Sequence, residues 1–401
     1  MSLFLQVVPV SKAIGEIRSL GSRCGQEQVT LGDALHRILA EDVLADVDIP
    51  GFTRSVVDGY AVRAADTTGS SDSVPSMLPL RDRVAMGSSA EKILQPAECI
   101  YVPTGGVLPA GADAVVMIEN TEQIGDEILV KKPVADGENV IFFNEDFSKG
   151  EPVVRSGKRL SPQDIGVLAA AGCSDVPVVR MPKIGVLSTG NELVPVTVRP
   201  LPGQVRDVNS SVIAATVLDW GCLPVFYGIV PDTREALTSM ISRATAECDV
   251  ILISGGSSKD DRDMVSAVIA ELGSVLVHGI AIAPGKPTII GRCGGKPVIG
   301  LPGHPASAFI VLIAIVRHLI VTMTGETGTS LRTLQAVLGQ NVASSKGRED
   351  YVRVAVKDGI ATPLFGKSGL LNTLVRSTGV VRVSAEREGL ETGTTVEVIL
   401  W

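Results

Sequence analysis

Three stretches in the middle of the chain share one construction: a short run of β-forming residues that ends in a glycine turn and leads into a helical pattern. They are Lys183-Ile-Gly-Val-Leu-Ser-Thr-Gly-Asn191-Glu192, Asp249-Val-Ile-Leu-Ile-Ser-Gly-Gly-Ser257 and Lys296-Pro-Val-Ile-Gly-Leu-Pro-Gly-His304-Pro305. Strand, tight turn and helix in that order make a βα unit, and several such units place their turns along the carboxyl edge of one parallel sheet. That edge carries backbone N–H groups and helix starts, so it receives anions. The expected ligand carries phosphate or another oxyanion.

The alternation of strand and helix runs from Met181 to about residue 325 and predicts a doubly wound or related three-layer α/β unit. A helix is expected from Asp207 through Trp220, a strand over Val225 to Val230, and a helix whose capping-box-like start is Asp232-x-x-Glu235. A further helix is expected near Asp263 to Leu272. Before this unit, residues 9 to 45 read as helical with Ser11 as cap. Residues 48 to 145 are broken by Gly, Pro and Ser into short alternating runs that suit a β-rich domain. Ser161-Pro162 through Gly172 predicts a short capped helix, and the strands after Thr327 predict a closing β-barrel or sandwich.

Composition narrows the function classes. A chain of 401 residues accommodates about two to four domains of roughly 100 to 200 residues. With a formal charge of −8 there is no general basic face for nucleic acid, so any bound anion is held by local groups. The six cysteines, Cys24, Cys99, Cys173, Cys222, Cys248 and Cys293, lie far apart without a Cys-x-x-Cys pair, which argues against zinc and redox motifs. No basic leader precedes the first apolar residues, so a cytoplasmic protein is expected. The apolar Ala306 to Met323 stretch includes Arg317 and His318 and is expected to be a buried helix, with no membrane partner.

No Gly-x-Ser-x-Gly elbow accompanies the four histidines, and neither a Gly-x-Gly-x-x-Gly nor a Walker-type glycine loop occurs. Triad hydrolysis and ordinary nucleotide folds lose their main support. What stands out is a mixture of charges. Asp58, Asp146, Glu192, Asp232 and Asp263 lie near turns, while Pro284-Gly-Lys286-Pro287 sets one lysine between two conformational locks. Carboxylates beside a phosphate site are tolerated when a hard cation such as Mg²⁺ sits between them; the alternative is that Asp232 and Asp263 are helix caps. Lys259 and Arg262 flank Asp260 and Asp261 after the Gly255-Gly256 turn and are candidate phosphate partners.

The ordered set of segments resembles the molybdopterin molybdenumtransferase family, which comprises bacterial MoeA and the C-terminal domain of gephyrin. The resemblance rests on Arg54-Ser-Val-Val-Asp58-Gly-Tyr, Thr104-Gly-Gly-Val-Leu-Pro-Ala-Gly-Ala-Asp, Ser188-Thr-Gly-Asn-Glu192, Gly203-Gln-Val-Arg-Asp-Val-Asn209, Ser254-Gly-Gly, Pro284-Gly-Lys-Pro287, Gly300-Leu-Pro-Gly-His-Pro305 and Gly347-Arg-Glu-Asp-Tyr351. It implies a helical linker lobe from residues 1–46 and 146–180, a β-rich domain over 47–145, an α/β molybdopterin-binding domain over 181–326 and a C-terminal β domain over 327–401. It further implies a homodimer whose cleft is shared between subunits, and insertion of molybdate, or tungstate, into adenylated molybdopterin with release of AMP and help from Mg²⁺.

Carried over by position, the resemblance gives Asp58, Glu192, Asp232, Asp263 and Lys286 catalytic roles, with Asp58 and Glu192 as metal ligands. Thr104, Asp146, Ser188, Thr189, Gly190 and Asn209 fall among the substrate-binding positions. Ser254, Gly255, Gly256, Lys259, Pro302 and Gly303 complete that set. A molybdopterin adenylyltransferase is an implied partner. The alternatives are an adenylyltransferase-like enzyme and a non-catalytic pterin-binding scaffold. The chain departs from the family pattern at Ser257-Ser-Lys259-Asp260, at Ala283, where a second lysine is common, at His304, where asparagine is usual, and at Phe142-Phe143-Asn144, where arginines are usual.

Overall fold

The computed structural model describes residues 7–89, 91–255, 259–328 and 331–401, with residues 259–263 described as backbone only. At its centre six strands form one sheet in the order Leu223–Val230, Lys183–Thr189, Val250–Gly255, Lys296–Leu301, Ile289–Cys293 and Gly273–His278. The first four run parallel, and the last two are antiparallel additions, so the sheet is mixed rather than purely doubly wound. Register brings the turns together: Thr189 lies opposite both Val230 and Gly255, and Ser254 lies opposite Leu301. The three glycine turns are therefore neighbours on one edge.

Alternation of side chains along these strands feeds two cores. Ile184, Val186, Val250 and Leu252 pack with Ile213 and Val217 of the Val208–Asp219 helix and with the apolar Pro305–Thr324 helix. Leu187, Ile251 and Ile253 face the other way, against Leu237 and Ile241 of the Arg234–Glu247 helix and Val268 of the Lys259–Leu272 helix. Each fully buried Ile or Leu stabilises the fold by roughly 1.5–3 kcal/mol before entropy is counted, so these two faces hold the edge rigid. The Pro305–Thr324 helix is long and apolar enough to cross a membrane, but its buried residues form part of this core, as the sequence reading expected.

The first helix differs from expectation. Residues 9 to 45 are helical only over Val10–Ser19, with Pro9 rather than Ser11 at the N-cap. Gly21 and Gly25 follow, and Gln26–Thr30 then pairs as a strand with Asp175–Val179. The helix buries Val10, Ala13 and Ile17 against the α/β core rather than in the linker lobe. That lobe is mixed, with the Pro162–Ala170 helix and short strand pairs around Leu39, Leu160, Leu168 and Val176. Its helix has the expected start, because the Asp164 carboxylate accepts from Ser161 N at 2.9 Å and Ser161 Oγ at 2.7 Å.

The β-rich region orders its strands as Ala114–Met117, Gly59–Val62, Cys99–Val102, Ser76–Arg83, Glu127–Val130 and Thr121–Ile124. At the C-terminal end, Glu349–Lys357, Ile360–Pro363, Thr333–Leu338, Thr395–Leu400 and Gly379–Val383 pair in sequence. Gly379–Val383 then pairs back with Glu349–Lys357 and closes a five-stranded barrel. Of the two alternatives, barrel or sandwich, the chain forms the barrel.

Candidate functional site

At the glycine-turn edge the polar side chains are buried. Ser188 and Thr189 are each 1% exposed, Ser254 is 2% exposed and Asn209 is 7% exposed. Asn209 enters on the first turn of the Val208–Asp219 helix, whose N-cap Asp207 accepts from Ser210 N at 3.1 Å. From there Asn209 Nδ2 donates to Ser254 Oγ at 2.7 Å and to the carbonyl of Gly303 at 2.8 Å, tying two of the three turns together. Asn209 Oδ1 and Ser188 Oγ are buried without a partner among the described residues. Buried polar atoms in that condition are costly, and a bound polar ligand is one way to satisfy them.

Asp232 belongs to this edge and is not a cap. The N-cap of the Arg234–Glu247 helix is Thr233, which accepts from Ala236 N at 3.3 Å. Asp232 instead accepts from Thr189 Oγ1 and, at 3.1 Å, from Asn191 N, which braces the turn holding Gly190. The Lys259–Leu272 helix likewise begins before Asp263, so Asp263 does not cap it. Glycine is required at Gly255, because a Cβ there would stand 2.2 Å from the Thr189 carbonyl oxygen. At Gly190 a Cβ would meet the Glu192 carboxylate at 2.8 Å. Thr189, Glu192, Asn209, Ser254, Gly255 and Gly303 are part of the wall of a cavity of about 280 Å³.

A second cavity of about 590 Å³ shares Gly303 and His304 with the first. The α/β unit and the barrel build it jointly. Ile282–Ala283 pairs in parallel with the start of Glu349–Lys357, and Glu349 N donates to the Ala281 carbonyl at 2.8 Å. That pairing sets Lys346 and Arg348 in one wall with Lys286 and Pro302. Arg348 Nε lies 3.0 Å from Asp350 Oδ1, and Lys346 Nζ lies 3.2 Å from Glu388 Oε1. Neither Asp350 nor Glu388 lines the cavity, and among the described lining residues there are three Lys or Arg side chains and no carboxylate. Such a wall attracts an anion.

Of the site residues named from sequence, Ser188, Thr189, Gly190, Glu192, Asn209, Asp232, Ser254, Gly255 and Gly303 come together at one edge, with Lys286 and Pro302 in the adjoining cavity. Asp58, Thr104 and Asp146 line neither cavity of this chain. Asp58 Oδ1 accepts from Thr104 N at 2.8 Å, and Asp146, which is exposed, donates through its N–H to the Ile49 carbonyl at 3.0 Å. Gly256 lies outside the described residues, as do the side chains of Lys259 and Asp263. Sequence reasoning does not identify Lys346, Arg348 or Ser368 as site residues; the one sequence signal is the Gly347-Arg-Glu-Asp-Tyr351 segment, which contains Arg348 and adjoins Lys346, whereas nothing local marks Ser368.

Among the described residues no three His, Cys, Asp or Glu side chains gather into a metal-binding group. Mg²⁺ commonly takes one or two carboxylates, and Glu192 in the wall of the smaller cavity has the donor chemistry such an ion requires.

Comparison with known proteins covers almost the whole chain. Residues 8–172 match the family described as "MoeA N-terminal region (domain I and II)", 185–321 the "Probable molybdopterin binding domain", and 335–401 the "MoeA C-terminal region (domain IV)". The chain is 33% identical to the molybdopterin molybdenumtransferase of Bacillus subtilis, over 98% of its own length and 94% of the relative's. A protein of that name from Staphylococcus aureus is 29% identical over 98% and 95% of the two chains. Two crystal structures of the molybdopterin biosynthesis MoeA protein of Pyrococcus horikoshii superpose on it. One is 38% identical with a TM-score of 0.82, covering 98% of this chain and 99% of that one. The other is 32% identical with a TM-score of 0.88, covering 99% and 100%.

Proposed function

The chain belongs to the molybdopterin molybdenumtransferase (MoeA) family, and from that premise we propose that it is a transferase of molybdenum cofactor biosynthesis that joins an oxyanion to molybdopterin across its two adjoining cavities. The observation that carries this reading is the sharing of Gly303 and His304 between a cavity with buried, unsatisfied polar groups and a cavity with a cationic wall. The larger cavity falls within the roughly 300–1,000 Å³ typical of small-molecule sites, and the smaller, at about 280 Å³, lies just under that range.

The substrates are adenylated molybdopterin and molybdate, or tungstate as the related dianion. The pterin and its phosphates occupy the smaller cavity, where Asn209 Oδ1 and Ser188 Oγ gain the partners they lack and the Gly255 backbone allows close approach. The oxyanion occupies the larger cavity, held by Lys286, Lys346 and Arg348. Two negatively charged substrates repel one another, and these cations offset that repulsion. The two dithiolene sulfurs replace one oxo group of the molybdate, which leaves with the two thiol protons as water, and water adds to the phosphoanhydride so that AMP leaves.

Glu192 would hold Mg²⁺, and the ion would supply charge neutralisation and polarisation of the phosphoryl group. Asp58, Thr104 and Asp146 act from the second subunit of a homodimer, which accounts for their distance from the cavities of their own chain. The protein works in the cytoplasm and receives its pterin from a molybdopterin adenylyltransferase.

The test is AMP release from adenylated molybdopterin by the purified protein with Mg²⁺, in the presence and absence of molybdate. Release that requires the oxyanion is the expected result. Binding of the pterin with no release under either condition would instead identify a scaffold.

A further inference from the structure

His304 occupies the junction of the two cavities and lines both. It is exposed, and its Nδ1 lies 3.2 Å from Ser368 Oγ, in the loop between the barrel strands. A hydroxyl can donate to a neutral ring nitrogen or accept from a protonated one, so Ser368 remains a partner of the imidazole in either state. Gly369 follows Ser368 beside the ring, and a Cβ there would be in ordinary contact with His304 Cδ2 at 3.4 Å. The charged groups around the ring are Lys286 from the Pro284–Pro287 turn, Lys346 and Arg348 from the barrel side, and Glu192, Arg206 and Asp207 across the smaller cavity. Among these described wall residues, only the imidazole belongs to a residue type that ordinarily changes charge between about pH 5 and 8.

Resting on the reading of the larger cavity as the oxyanion site, we propose that His304 is a ligand-binding residue that couples oxyanion binding to proton uptake. As the dianion enters, the imidazole takes a proton from solvent, adding a fourth positive charge and an N–H donor to the wall. A nearby dianion favours the charged form of the ring, and by linkage the charged ring favours the dianion. No bond is made or broken beyond the proton transfer. The larger cavity has no lining carboxylate among the described residues, and Glu192 and Asp207 belong to the wall of the smaller one, so on the larger cavity's side the added attraction acts on the ligand.

The experiment is calorimetric titration of the full-length protein with sodium molybdate. It is run at one pH in two buffers of different ionisation enthalpy, and again at pH 6.5 and 8.5, where molybdate is a dianion. The expected results are net proton uptake near neutral pH and binding roughly three- to tenfold tighter at pH 6.5 than at 8.5. His304 is the N-cap of the Pro305–Val311 helix and makes no side-chain cap bond there, so His304→Asn, a residue suited to that position, abolishes the proton uptake and flattens the pH dependence while leaving the melting temperature close to the parent's. His304→Lys restores tight binding without proton uptake. Proton uptake of the same size in His304→Asn as in the parent overturns the proposal while leaving the oxyanion site standing. Failure of the parent protein to bind molybdate overturns the reading of the cavity on which it rests.

Discussion

Asn209 on the Val208–Asp219 helix donates from Nδ2 to Ser254 Oγ at the end of a central strand, across 2.7 Å and in a buried setting. Its second bond, to the Gly303 carbonyl at 2.8 Å, reaches the turn that leads into the cationic cavity. One amide therefore fixes the relative positions of the two cavities. Asn209→Ala leaves Ser254 Oγ and the Gly303 carbonyl without this donor, at a cost of about 1–3 kcal/mol. The expected outcome is a lower denaturation midpoint together with weaker molybdopterin binding, checked by denaturant titration and by fluorescence titration with the pterin. Unchanged pterin affinity in a folded variant contradicts the placement of the pterin.

Asp232 and Thr233 are adjacent in sequence and separable in role. Thr233 caps a helix, whereas Asp232 braces the Thr189–Asn191 turn. Thr233→Ala is expected to cost about 1 kcal/mol of stability with activity nearly intact. Asp232→Ala is expected to lower kcat/KM at least tenfold, because a misplaced turn disturbs every group on it. Parallel melting curves and AMP-release kinetics on the two variants check the contrast, which fails if Thr233→Ala is the more damaging to activity.

Glu326 joins parts of the chain remote in sequence. Its carboxylate meets Arg159 Nε at 2.7 Å and Arg317 Nη2 at 2.8 Å, and it is 8% exposed. Burial by itself raises the carboxyl pKa, but the hydrogen bond from Arg159 and the charges of Arg317 and Arg159 prevail and hold it below the usual carboxylate range. A depressed carboxylate stabilises the fold fully above its unfolded pKa, and the contribution is lost as pH falls through the folded value. Glu326→Gln, which leaves two arginines without their counter-ion, is expected to cost roughly 3 kcal/mol at pH 7. Melting temperatures of parent and variant should converge as pH falls below 4; a gap that stays constant with pH contradicts the ionic account.

The buried thiols give a prediction independent of the site. Burial pushes Cys99 and Cys222 up to about 12 and Cys293 to about 11, so their reactive thiolate forms are scarce at pH 8. A chromogenic disulfide reagent at that pH is expected to leave these three unmodified in the native protein and to label all six cysteines after denaturation, counted by mass spectrometry of peptides. Rapid native labelling of Cys222 contradicts the packing around it.

The glycine-turn edge was legible in the sequence because its signal is local: apolar runs of strand length end at Gly190, Gly255 and Gly303, and only parallel pairing remained to be supplied. Asp232 was ambiguous for a local reason as well, since a carboxylate and a hydroxyl side by side before a helix are both capable caps. Strand and helix patterns over the first 45 residues were confused because Gln26–Thr30 gains its strand state from pairing with Asp175–Val179, which no nearby residue announces. The cationic cavity was hidden for the same physical reason. Lys286 stands out in the sequence between its prolines, but its neighbours Lys346 and Arg348 arrive through the pairing of Ile282–Ala283 with Glu349 and Asp350, a contact between separate domains. The resemblance to the family supplied the domain order, and the closed barrel and shared cavity wall came from the structure.

The central claim is that the oxyanion binds between the α/β unit and the barrel, next to the pterin edge. It is tested most directly by anomalous diffraction from crystals soaked in tungstate. The account predicts a tungsten peak in the larger cavity, within about 4 Å of the charged nitrogens of Lys286 and Arg348, and loss of that peak in Lys286→Met crystals. Tungsten bound elsewhere, with this cavity free of anomalous signal at saturating tungstate, would contradict it.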